Sequence, residues 1–169
     1  MLTDFLALTN DIIQAIIVIF GTAVVLYNLP YVRENRVSRT YSLLLGAVVI
    51  VFLTELLVSR VRLVGSAENW LTFKWLGITF VPAIQFHFSD ALLVTTGSRS
   101  TRRRAIEFVC YLISFTFFLL VISTDLIVNA VIETPNAFHL RATAGFYAFA
   151  VYFWAVSVAS IYNVVRAYQ

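Results

Sequence analysis

Runs of about twenty predominantly apolar residues recur five times along this chain, and each is closed by charged or helix-breaking residues. Few folds accept that pattern. A soluble domain of 169 residues with 60% apolar and 12% charged residues would carry more apolar surface than its interior could hide, since soluble domains average about 45–50% apolar and about 25% charged. A bilayer solvates such runs directly. The fold class expected is therefore all-α, a polytopic transmembrane helix bundle whose first partner is the lipid bilayer.

The spans are read at about Ile12–Leu29, Tyr41–Ser59, Trp70–Thr95, Ala105–Thr124 and Ala144–Val165, within a single membrane domain covering 1–169. Asn10 or Asp11 is expected to cap the first span, and Pro30 to stop it, because proline lacks an N–H and restricts the residue before it. Leu63 to Asn69 reads as a short connection into the third span. A longer connection, Asp125 to Thr143, contains the turn signal Thr134-Pro135-Asn136. The N-terminal segment carries Asp4 and no Lys or Arg before the first apolar run, so it does not read as a signal peptide. The last helix lacks a cap, a glycine stop or a polar tail, which leads to the expectation that more protein follows Gln169.

Orientation follows from the basic residues, because positively charged loops resist translocation. Arg33, Arg36, Arg39, Arg99, Arg102, Arg103, Arg104 and Arg166 flank one set of span ends. Arg60, Arg62, Lys74 and Arg141 flank the other, so the 12 basic residues favour an outside N-terminus and a cytoplasmic C-terminus. The net charge of +3 is spent on this asymmetry, and no nucleic-acid partner is read from it.

The third span carries the polar residues most in need of explanation. At 100° per residue Thr79, Ala83, His87 and Asp90 share one face, while Gln85 and Ser89 lie on another. Pro82 cannot donate to the Ile78 carbonyl, so a bend is expected there. An ionisable group at membrane depth is by default a functional hypothesis, which makes His87 and Asp90 candidate ligand-binding residues, with Thr79 and Gln85 added as the polar groups beside them. The structural alternative has Asp90 paired with Arg99 or Arg102 and His87 donating to a carbonyl on another helix. Glu55 reads as a structural ion pair with Lys74, Arg60 or Arg62, and Glu107 as an interfacial anchor beside Arg102 to Arg104.

No nucleophile set, phosphate loop or zinc motif is present in the sequence, and the single cysteine, Cys110, admits neither an internal disulfide nor a cysteine-rich metal site. No catalytic or metal-binding residue is assigned. The cofactor is left unknown: His87 and His139 are too far apart in depth for a simple bis-histidine haem site, while His87 alone would suit the magnesium of a chlorophyll.

Leu76-Gly-Ile-Thr-Phe-Val-Pro-Ala-Ile-Gln-Phe-His-Phe-Ser89, Ala144-Gly-Phe-Tyr-Ala-Phe-Ala-Val-Tyr-Phe-Trp154 and the basic loop after the third span together resemble the seven-helix N-terminal membrane domain of bacterial sensor histidine kinases and related signalling proteins. The resemblance implies seven helices followed by a cytoplasmic output domain, of which this chain shows five and no kinase region. It carries over no binding residues. Two functions are weighed: a noncatalytic sensory input module in a bacterial inner membrane, coupling a ligand or membrane state to a cytoplasmic output domain, and a noncatalytic accessory subunit of a larger energy-converting or photosynthetic complex, binding lipid or pigment among other membrane subunits. A homodimer is compatible with either.

Overall fold

A computed structural model of the chain describes residues 2–60, 64–134 and 137–169. Helix α1 (Leu2–Asn28) passes into a 3-10 turn (Leu29–Val32) and is followed by α2 (Arg36–Arg60), α3 (Val64–Thr95) and α4 (Thr101–Ser123). A hairpin of β1 (Val128–Thr134) and β2 (Ala137–Ala142) then leads to α5 (Ala144–Ala167). Among the described residues all five α-helices are long and apolar enough to cross a membrane, with mean hydropathy between 1.3 and 2.4 over their best windows. The chain is a multi-pass membrane protein.

Several helix limits differ from the sequence reading, each for a local reason. Helix α1 does not start at an Asn10 or Asp11 cap: it runs through both, and Asp11 instead meets Arg60 of α2 at 3.5 Å. Helix α2 starts five residues before Tyr41 because the Asn35 side chain accepts the Val37 N–H at 2.9 Å, a capping bond that lets Arg36 and Arg39 join the helix. Ser100 does the same for α4, accepting the Arg103 N–H at 3.4 Å. The expected connection before Trp70 is helical from Val64 onward, so α3 has 32 residues and a length of about 48 Å, more than the hydrocarbon core of about 30 Å requires.

The fold is mostly helical rather than all-α, since the connection between α4 and α5 folds into an antiparallel hairpin. Val128, Val131, Ile132 and Thr134 favour extended backbone, being β-branched. Pro135 and Asn136 of the turn signal lie outside the described residues, as does Arg62. The pairing slips between Asn129 and Val131, and at the slip Ala130 has φ 25°, a left-handed value that L side chains adopt at a cost. Ile127 and Val128, 2% and 6% exposed, tuck beneath Trp75, Val121 and Phe149 and tie the hairpin to one end of the helices.

Helix α3 is the central element, packed against α2, α4 and α5, whereas α1 packs on α2. Its best apolar window is 56% buried within the protein against 11% for α1. Lipid tails give apolar helices no reason to associate, so close backbone approach and polar contacts must hold the bundle. Gly77 supplies the first: a Cβ there would lie 2.6 Å from Val51 Cγ2 and 2.7 Å from the Ala47 carbonyl oxygen of α2. Thr40, Ala47, Thr54 and Val58 are buried on α2, and their seven- and four-residue spacing puts them in one seam of modest-sized side chains. Gly21 repeats the device between α1 and α2, where a Cβ would lie 2.6 Å from Val49 Cγ2.

Candidate functional site

Four charges converge where the start of α2, the end of α3 and the start of α4 meet. Asp90, 1% exposed, stands between two guanidinium groups from two other helices. Arg103 Nε donates to Oδ1 at 2.6 Å, and Arg36 Nη2 donates to Oδ2 at 3.2 Å. Arg36 Nη2 also reaches Glu107 Oε2 at 3.0 Å. Two cations and two carboxylates therefore cancel in a setting where an uncompensated charge would cost several kcal/mol.

His87 extends the network. Its Nε2 lies 3.0 Å from Glu107 Oε1, and its Nδ1 lies 3.1 Å from the Tyr111 hydroxyl. A neutral imidazole has one N–H, and a carboxylate can only accept, so the proton sits on Nε2 and Nδ1 accepts from Tyr111. The order is thus Tyr111, His87, Glu107, Arg36, Asp90 and Arg103. Arg103 is fixed further by donating to the Ser98 carbonyl of the loop between α3 and α4.

The residues singled out in α3 divide between this network and other seams. His87 and Asp90 belong to it and meet α4 and α2. Gln85 faces α5, where its Oε1 accepts from Ser157 Oγ at 3.2 Å, and one turn on, Asn163 Nδ2 donates to Ser89 Oγ at 3.3 Å. Thr79 is fully buried, but its hydroxyl bonds the Trp75 carbonyl of its own helix at 2.7 Å. It therefore does not cap the Ile78 carbonyl freed by Pro82. Neither Arg99 nor Arg102 takes Asp90: Arg103 does, because Asp90 and the first turn of α4 meet across the loop. Glu107 is not merely an interfacial anchor, since it points into the bundle toward Arg36 and His87. Glu55 pairs with Lys74.

Arg36, Arg103, Glu107 and Tyr111 were not among the candidate binding residues chosen from the sequence. A signal for three of them existed: Arg103, Glu107 and Tyr111 recur every fourth residue, followed by buried Ser114, and so trace one polar stripe on an otherwise apolar helix. Further along this face Ser114 Oγ and Tyr152 Oη lie 2.9 Å apart, and Tyr152 donates to the Cys110 carbonyl at 2.8 Å, linking α4 to α5. Among the described residues no group of three His, Cys, Asp or Glu side chains is placed to hold a metal ion. The arrangement can hold helices in a defined register and exchange hydrogen-bond partners.

No protein-family model, curated protein or solved structure matches the chain.

Proposed function

We propose that the chain is a membrane-embedded sensory input module whose signal is a change in how α2, α3 and α4 pair around Asp90. The observation that carries this reading is Asp90 itself, a carboxylate 1% exposed and shared by guanidinium groups from two other helices. A carboxylate buried within a membrane helix bundle is costly and is by default a functional hypothesis. A shared carboxylate also has discrete alternatives, Arg36 or Arg103, which is what a two-state element needs. His87 and Asp90 act here as internal partners, with Thr79 and Gln85 in the adjoining packing seams; a ligand or membrane state acts by changing which partners they hold.

The excess of basic residues at this end orients it toward the cytoplasm, with Met1 outside. In the bacterial inner membrane, as the family resemblance implies, a rearrangement around Asp90 is thereby presented to a cytoplasmic output domain. The module works without chemistry of its own. Orientation is tested in cells by labelling Arg99→Cys with a membrane-impermeant maleimide in a Cys110→Ser background: reaction from outside overturns it.

The sensing itself is tested by spin labels at Arg33→Cys and Arg99→Cys, which flank the network in the loops before α2 and after α3. Interlabel distances are expected to shift between thin and thick bilayers in the otherwise unaltered protein and to be fixed in Asp90→Asn. Identical distributions in every condition sink the reading. An accessory-subunit role has its own support in the exposed α5 row of Tyr147, Val151, Trp154, Val158 and Ile161, 59–74% exposed, and stoichiometric co-purification of another membrane protein would favour it.

A further inference from the structure

We propose that the groove between the start of α4 and the end of α5 is a site for an anionic phospholipid, its phosphate held by arginines and one acyl chain laid along the apolar floor. The proposal goes beyond the sensory reading and stands without it. The groove has a volume of about 600 Å³. Its apolar floor is built on buried Phe86 and continued by Ile106, Ala155 and Val158, and Arg102, Arg103 and Arg166 also line it.

Two features select this occupant over another helix. The charged lining is of one sign: Arg103 is committed to Asp90, but Arg102 and Arg166 make no salt bridge among the described residues. An apolar helix laid here would leave both guanidinium groups unneutralised, whereas a phosphate diester offers acceptor oxygens to a planar fork. The depth is also right. Arg102 is the second residue of α4 and Arg166 lies in the last turn of α5, so both stand where a helix leaves the hydrocarbon, at headgroup level, while Ala155 and Val158 lie two to three turns deeper along the acyl chain. Inorganic phosphate shares the headgroup chemistry but has nothing to place on the floor.

The test titrates the purified chain in detergent with dioleoyl phosphatidylglycerol or dioleoyl phosphatidylcholine and counts bound lipid by native mass spectrometry. Phosphatidylglycerol is expected to bind roughly tenfold more tightly, and Arg102→Gln with Arg166→Gln to abolish that preference. Ala155→Trp, which fills the floor and leaves the arginines intact, is expected to lower retention of the anionic lipid as well. Circular dichroism and thermal melting of each variant check that the fold is kept. Equal binding of the two lipids, or a preference that survives the double substitution, overturns the proposal. So does displacement by inorganic phosphate with no effect of Ala155→Trp, which would make this a free-anion site, or a homodimer without lipid that Ala155→Trp disperses.

Discussion

Arg36 and Asp90 lie 54 positions apart in the sequence, yet Nη2 of the arginine reaches Oδ2 of the carboxylate at 3.2 Å. The arginine opens α2, and the aspartate sits one turn before the end of α3. Neither is explicable alone: Asp90 is nearly inaccessible and needs neutralising, and Arg36, with a side chain 25% exposed, needs a reason to turn inward.

Asp90→Asn keeps the shape and removes the negative charge, leaving Arg36 and Arg103 facing each other across a neutral amide. Unfolding in detergent should become easier by about 3 kcal/mol, the usual scale for breaking a buried pair from one side. Arg103→Gln added to Asp90→Asn should cost less than the sum of the two single changes, because it removes one of the stranded cations. Additive losses would contradict the geometry.

Replacing His87 by Phe deletes the donor to Glu107 and the acceptor for Tyr111, and should lower stability by about 1–2 kcal/mol. Combined with Tyr111→Phe it should show a coupling near 1 kcal/mol in a double-mutant cycle of thermal unfolding. Zero coupling would mean that the 3.1 Å contact contributes nothing.

Gly77 and Gly46 form a matched pair. At Gly77 an added methyl group meets the Ala47 carbonyl oxygen at 2.7 Å, whereas at Gly46 it meets nothing within 4 Å. Gly77→Ala should force α2 and α3 apart and cost about 2 kcal/mol. Gly46→Ala should be neutral or stabilise by about 0.5–1 kcal/mol through helix propensity. Chemical denaturation of the two variants side by side separates these outcomes.

The hairpin offers a local test. Ala130 is held at φ 25° where the register slips, and a β-branched residue tolerates that backbone badly. Ala130→Val should destabilise the hairpin by about 1–2 kcal/mol, whereas Ala130→Gly should not. Hydrogen exchange of the amides in β1 and β2 reads the difference without requiring global unfolding.

The five spans were legible because a bilayer imposes a length and an apolarity that any stretch of sequence either meets or fails. Pairings across the bundle were not. Asp11 looked like a helix cap because nothing near it in sequence announces Arg60, and Glu107 looked interfacial because its neighbours in sequence are Arg102 to Arg104 while its partners are Arg36 and His87. On α3 the polar residues stood out in the sequence but their partners did not: the His87 side meets Glu107 and Tyr111 of α4, and the Gln85 side meets Ser157 of α5. The hairpin went unread although four β-branched residues precede its turn, because their alternation is broken at Ala130.

The central position of α3 also bears on how the chain is made. Its best window has a mean hydropathy of 1.3, against 2.2 for α1 and 2.4 for α2 and α4, so among these four spans it gains least by leaving the translocon for lipid on its own. What retains it is already waiting in α2: the seam around Ala47 that admits Gly77, and the guanidinium of Arg36. Arg103 and Glu107 emerge from the ribosome only afterwards. The order of synthesis therefore supplies the α2 half of the Asp90 site first, and the second cation, Arg103, only once α4 has been made.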